Sequence, residues 1–153
     1  VHTVDVISAK EMYKACVKYF PDADIVIKSA AVADYRPKDI LEEKIKKSDS
    51  DTKVEFEKTD DILAYLGKTK RDNQFICGFS METENMIENS RSKLKNKNID
   101  MIVANNLKTK GAGFGTETNV VTLITESSQK ELDIMSKADV AQEIINEILK
   151  NTF

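Results

Sequence analysis

Ala23-Asp24-Ile25-Val26-Ile27-Lys28-Ser29-Ala30-Ala31-Val32-Ala33-Asp34-Tyr35-Arg36-Pro37 carries an apolar strand straight into small side chains, then an acid, an aromatic and an arginine. The nearly continuous apolar run from Ala23 to Ser29 predicts a parallel strand covered on both faces. In open α/β sheets the carboxyl end of such a strand faces the ligand crevice. Ser29, Ala30 and Ala31 stand there, and their small side chains let a ligand approach the backbone closely. Lys44, Lys46 and Lys47 follow within four positions. A run of lysines is by default a solvated charged face. Beside a crevice, concentrated positive charge points instead to phosphate.

Outward from this stretch, strand and helix alternate. In residues 1–7, Val4 and Val6 alternate with Thr3, Asp5 and Ile7 and predict a short strand. Ser8-Ala9-Lys10-Glu11 has the form of a capping box, and Met12, Cys16, Tyr19 and Phe20 give the helix behind it one apolar face, closed by Pro21-Asp22. No period is convincing from Ala30 to Asp51, but Val54-Glu55-Phe56-Glu57 alternates like an arm of a hairpin. Thr59-Asp60-Asp61 caps a helix carrying Ile62, Leu63 and Leu66 with Gly67 near its end. Phe75 to Phe79 and Met101 to Ala104 are buried strands, the second ended by Asn105-Asn106. Between them a helix presents Met86, Ser90 and Leu94. Asn119 to Thr125 is a strand, and Lys130 to Ile134 pairs with it across Ser127-Ser128. Ser136 caps a last helix with Ala141, Ile144, Ile145, Ile148 and Leu149 as its apolar stripe. This order predicts an α/β fold: a Rossmann-like, mostly parallel sheet with helices on both faces and an antiparallel edge hairpin.

The 153 residues suit one domain with a sizeable core. With 23 basic and 26 acidic side chains the net charge is −3, which argues against a general nucleic-acid or membrane-surface binder. No apolar stretch is long enough to span a bilayer, and a cytoplasmic protein is expected. Cys16 and Cys77 are far apart and read as core thiols of a reducing compartment. His2 is the only histidine. With no Cys/His cluster a zinc site is not expected.

Several motifs carry two readings. Gly111-Ala112-Gly113-Phe114-Gly115 precedes a strand, whereas a dinucleotide fingerprint opens a helix after one. It therefore reads as a flexible or ligand-covering loop, and a nicotinamide-dependent oxidoreductase is set aside. Lys93 and Lys97 lie one turn apart, and they complement the helix dipole with Glu82 and Glu84 at the other end, or they bind phosphate. Asp34 is either a turn former or a ribose or metal partner. Asn105-Asn106 is open between turn chemistry and ligand amide contacts.

Taken together, Ala30-Ala31-Val32-Ala33-Asp34-Tyr35-Arg36, Lys44-Ile45-Lys46-Lys47, Gly78-Phe79-Ser80-Met81-Glu82-Thr83-Glu84, Asn98 to Asn105, Gly113-Phe114-Gly115 and Asn119 occur in the order found in phosphopantothenoylcysteine synthetases. The chain resembles that family from about Val4 onward. The resemblance implies a ligase of coenzyme A biosynthesis that joins 4′-phosphopantothenate to cysteine with a nucleoside triphosphate and Mg²⁺. CTP is usual in bacterial members and ATP in eukaryotic ones. It implies nucleotide contacts at Ser29, Ala30, Asp34, Lys44, Asp60, Asp61, Ile62, Leu63, Phe79, Lys93 and Lys97. It makes Lys44 the catalytic lysine of a projecting flap, about residues 43–59, and sets Ala30 and Ala31 against the substrate. It further implies a homodimer, and in many bacteria fusion behind a flavin-dependent decarboxylase.

The sequence departs modestly from the family at Ser80-Met81 and Asn106. The family's N-terminal Gly-rich strand–turn–helix and its Asn-x-Ser-Ser-Gly-Lys-Met-Gly-like segment have no counterpart here, so residues 1–153 are expected to form a synthetase domain lacking that part of the fold. The alternative from another functional class is a non-catalytic nucleotide-binding or regulatory domain completed by another chain.

Overall fold

The computed structural model describes residues 1–39, 53–82, 84–106 and 115–152. Helix α1 (Ala9–Tyr19) opens with the expected capping box: Ser8 Oγ accepts from Glu11 N–H at 3.2 Å while Glu11 Oε2 accepts from Ile7 N–H at 2.8 Å. A 3-10 turn at Phe20–Asp22 leads to β1 (Ile25–Lys28). Two short strands, β2 (Tyr35–Pro37) and β3 (Phe56–Lys58), form an antiparallel ribbon of their own. Then follow α2 (Ile62–Thr69), β4 (Phe75–Glu82), α3 (Met86–Asn96) and β5 (Met101–Asn106). The chain closes with β6 (Thr118–Asn119), β7 (Val121–Thr125), β8 (Gln129–Glu131), β9 (Met135–Ser136) and α4 (Lys137–Thr152).

The main sheet has the order β1-β4-β5-β7-β8. β1, β4 and β5 are parallel, and β7 and β8 run antiparallel beside them. The edge hairpin is as expected, and the sheet as a whole is mixed. Period-two alternation along β4 and β5 sorts the core into two layers. Ile76, Ile102 and Ala104 pack with Ile62, Leu63, Leu66 and Leu94 of α2 and α3, flanked by Met12, Tyr13 and Cys16 of α1. Cys77, Met101 and Val103 face the other way, onto Val140, Ile144 and Ile148 of α4. Burial pushes the Cys77 thiol up to about 12, as befits an inert core cysteine.

Three expectations are corrected. Residues 1–7 form no strand. Val1, Val4 and Ile7 are exposed, and the Ile7 N–H is spent on the α1 cap. β1 is not covered on both faces: it is the edge strand, Ile25 and Ile27 are 37% and 41% exposed, and the α4-side core includes no residue of β1. The α4 stripe is Val140, Ile144 and Ile148 at four-residue spacing, leaving Ala141, Ile145 and Leu149 exposed. One helix packed on one sheet face buries a narrow stripe rather than every apolar position.

Candidate functional site

A cavity of about 110 Å³ opens at the carboxyl ends of β1 and β4. Lys28, the last residue of β1, lines it, as do Val32 and Asp34 from the turn that follows. Thr59, Asp60, Asp61, Ile62 and Leu63 line it from the start of α2, Phe79 from β4, and Lys97 from the C-cap of α3. The two turns are stitched together. Thr59 N–H donates to Asp34 O at 2.9 Å, and Thr59 Oγ1 donates to Ala33 O at 2.5 Å.

Lys97 is placed by the close approach of α2 to the end of α3. A Cβ on Gly67 would lie 1.8 Å from Lys97 O, so only glycine allows the two backbones to meet there. Asn98 takes the left-handed conformation (φ 50°), which Asn tolerates, and its Nδ2 donates to Gly67 O at 2.8 Å. This docking brings Lys97 Nζ within 2.9 Å of Asp61 Oδ2.

Asp61 also caps α2, its Oδ1 accepting from Ala64 N–H at 3.0 Å. Burial pushes its carboxyl up. The Ala64 N–H, the Lys97 ammonium and the charge of Lys28 outweigh that and hold it below the usual carboxylate range. Lys28 is half-buried, and burial draws it below the ordinary lysine range. The Lys97 charge acts in the same direction, against the opposing pull of Asp61, Cys16 and Asp34. Its Nζ donates to Ala30 O at 3.2 Å.

Seven of the residues singled out from sequence thus meet at one cavity: Asp34, Asp60, Asp61, Ile62, Leu63, Phe79 and Lys97. Others do not line it. Ser29, Ala30 and Ala31 are exposed on the turn between Lys28 and Val32. Lys93 is held at 2.5 Å by Glu82 Oε1, a carboxylate that also accepts from Asn89 Nδ2 at 3.3 Å. Lys44, Lys46 and Lys47, and Gly111 to Phe114, lie outside the described residues. Asn105-Asn106 ends β5 inside the sheet rather than in a turn, and Asn105 Oδ1 is buried without a partner among the described residues.

Sequence reasoning passed over Lys28. Its signal is a single lysine closing an apolar strand directly ahead of small residues.

A wider groove of about 1060 Å³ lies at the opposite end of the sheet, by Asp24, Phe75 and Asp100. There Lys70 Nζ pairs with Asp100 Oδ1 at 2.6 Å while Asp100 Oδ2 accepts from Ile76 N–H at 2.8 Å. Ligands of open α/β sheets bind at the carboxyl ends of the strands, and the side chains suited to chemistry gather at that end. The small cavity is therefore the candidate site. It offers carboxylates for hydroxyl groups, an aromatic ring for stacking and ammonium groups for anions. Among the described residues no group of three His, Cys, Asp or Glu side chains could hold a metal ion.

A family model described as the DNA/pantothenate metabolism flavoprotein C-terminal domain matches residues 1–152. The chain is 46% identical over 146 residues to the coenzyme A biosynthesis bifunctional protein CoaBC of Bacillus subtilis (strain 168), covering 95% of this chain and 36% of that protein. It is 45% identical over 150 residues to a protein named cysteine/cysteine sulfinic acid decarboxylase from an unknown prokaryotic organism, covering 97% of this chain and 42% of that protein. The chain thus spans about two fifths of the length of these relatives. The crystal structure of the C-terminal domain of a coenzyme A biosynthesis bifunctional protein CoaBC superposes with a TM-score of 0.78 at 39% identity, covering 97% of this chain and 64% of that one.

Proposed function

The chain belongs to the DNA/pantothenate metabolism flavoprotein C-terminal domain family, the phosphopantothenoylcysteine synthetase domain of bifunctional coenzyme A biosynthesis proteins, and from that premise we propose that it joins 4′-phosphopantothenate to cysteine using a nucleoside triphosphate, CTP in preference to ATP. The observation that carries this reading is the convergence of Asp34, Asp60, Asp61, Ile62, Leu63, Phe79 and Lys97 on one cavity at the carboxyl end of the parallel strands. Four separated stretches of sequence supply them.

In the proposed reaction the phosphopantothenate carboxylate attacks the α-phosphorus and releases pyrophosphate, leaving an acyl nucleotidylate. The cysteine amine then attacks the acyl carbon and expels the nucleoside monophosphate. Negative charge gathers at phosphorus in the first step, where catalysis is mainly electrostatic. Lys44 is assigned to that charge, Lys93 and Lys97 to the phosphate chain, Asp34 to a ribose hydroxyl, and Phe79 to the base. Lys93 and Lys97 each have a carboxylate partner, Glu82 and Asp61, and each must exchange it for phosphate. No side-chain nucleophile is needed. Mg²⁺ is taken to arrive on the triphosphate, and no step is assigned to it. The fused decarboxylase, the homodimer and the cytoplasmic setting are parts of the same proposal. The decarboxylase activity named for one relative belongs to a protein of which this chain spans 42%.

The test supplies the full-length protein with 4′-phosphopantothenate and CTP or ATP, and follows pyrophosphate before and after cysteine is added. Pyrophosphate without cysteine, then phosphopantothenoylcysteine by mass spectrometry once it is present, is the expected result. Nucleotide binding without pyrophosphate would favour a non-catalytic nucleotide-binding or regulatory domain.

A further inference from the structure

The lysines assigned above to phosphate within the described residues are both already neutralised. Lys93 is held by Glu82 Oε1 at 2.5 Å, and Lys97 by Asp61 Oδ2 at 2.9 Å. Lys28 is different. It lines the same cavity, it is half-buried, and its one hydrogen bond goes to the neutral carbonyl of Ala30 at 3.2 Å. Among the described residues it has no carboxylate within ion-pair distance. A lysine ammonium carries three donors, so two are left. Burial of this cation is costly, and the charges of Asp61, Cys16 and Asp34 oppose that cost without direct contact. The cost grows because the Lys97 charge acts on Lys28 unfavourably.

We propose that Lys28 is an anion-binding residue of this site, its ammonium meeting the phosphate chain of the nucleotide together with Lys97. The inference rests on the nucleotide reading above. An anion between the two ammonium groups would relieve their mutual repulsion and give Lys28 a counter-charge in direct contact. The rival account is that Lys28 only braces the turn by tying down the Ala30 carbonyl, its stem packed along apolar surface.

The experiment is a salt series of CTP and ATP binding to the full-length protein and its Lys28→Met and Lys28→Arg variants, with thermal unfolding alongside. Expected is a roughly tenfold loss of triphosphate affinity in Lys28→Met, the size of one charge-assisted hydrogen bond. The affinity should also fall less steeply with salt, because one phosphate-facing charge is gone. Lys28→Arg should restore both. Unchanged affinity in Lys28→Met overturns the proposal. So does a loss that keeps the wild-type salt slope, which is the mark of bracing alone. Should Lys28→Met not fold, Lys28→Gln takes its place with the same outcomes. Wild-type protein that binds neither triphosphate would bring down the nucleotide reading itself, and is thereby distinguished from a failure confined to Lys28.

Discussion

Lys97 Nζ lies 2.9 Å from Asp61 Oδ2, while Asp61 Oδ1 accepts from Ala64 N–H at 3.0 Å. One carboxylate therefore caps α2 and restrains a lysine at the cavity. The two roles separate by substitution. Asn caps a helix about as well as Asp but has no charge, so at pH 7 Asp61→Asn should lose only what the charge contributes through Lys97 and Lys28, whereas Asp61→Ala should lose the cap as well, about 1 kcal/mol more in urea unfolding. Because the folded carboxyl is held below its ordinary range, its contribution is complete above the unfolded carboxylate pKa. It is lost as pH falls through the lower folded value. Asp61→Asn should remove that part of the acid sensitivity. An acid titration of stability identical in the variant and the wild type would show that the charge contributes nothing.

Gly67 fixes the distance between these elements. An added Cβ would meet Lys97 O at 1.8 Å and Asn98 O at 2.9 Å, both backbone atoms that no rotamer change can move aside. Gly67→Ala is expected to cost about 3 kcal/mol, since α2 or the Lys97–Asn98 turn must shift. The fraction that remains folded should bind nucleotide more weakly, because Lys97 moves with that turn. Wild-type stability and wild-type affinity in Gly67→Ala would mean that the two backbones separate freely.

The sequence made the elements legible where a local rule acted alone. Ser8 and Glu11 form the capping box they spell, Asp61 caps α2, and Cys77 lies in a buried strand. It misled where the answer depended on what lies next door. Ile25 and Ile27 are as apolar as a covered strand requires, yet position at the sheet edge, which no periodicity encodes, leaves them exposed. Ile145 and Leu149 fail as core residues for the same kind of reason. At the site, the Asp34, Phe79 and Lys97 motifs pointed to a shared ligand through their resemblance to a family. Lys28 lay hidden because a lysine at the end of a strand looks like an ordinary solvated terminus. Its burial, and its lack of a carboxylate partner among the described residues, are tertiary facts.

Lys44 belongs to the Lys44-Ile45-Lys46-Lys47 stretch that the reaction proposal assigns to charge at phosphorus. It lies outside the described residues, so its prediction rests on sequence and on the family. Lys44→Gln in the full-length protein is expected to suppress pyrophosphate release by a hundredfold or more, the scale of losing one electrostatic stabiliser of a transition state, roughly 10²–10³. The melting temperature should be little changed. Turnover close to that of the wild type would remove Lys44 from the chemistry.

The β2–β3 ribbon leads to the last prediction, a homodimer. Pro37 lies opposite Phe56 and Tyr35 opposite Lys58, so Tyr35, Pro37, Phe56 and Lys58 share one face, while Arg36 and Glu57 form their 2.6 Å ion pair on the other. Tyr35 is 57% exposed and Phe56 62%. A lone two-stranded ribbon is marginal in water, and an aromatic face left open on one is a surface in want of a partner. A second copy of the chain meets that want by isologous contact, in which each ribbon presents the same side chains to its twin. The full-length protein is therefore expected to sediment as a dimer at micromolar concentration. Phe56→Asp should shift it toward monomer with little loss of monomer stability, because that ring is already largely in solvent. A wild-type protein that sediments as a monomer would refute the dimer, and a dimer indifferent to Phe56→Asp would place its interface elsewhere.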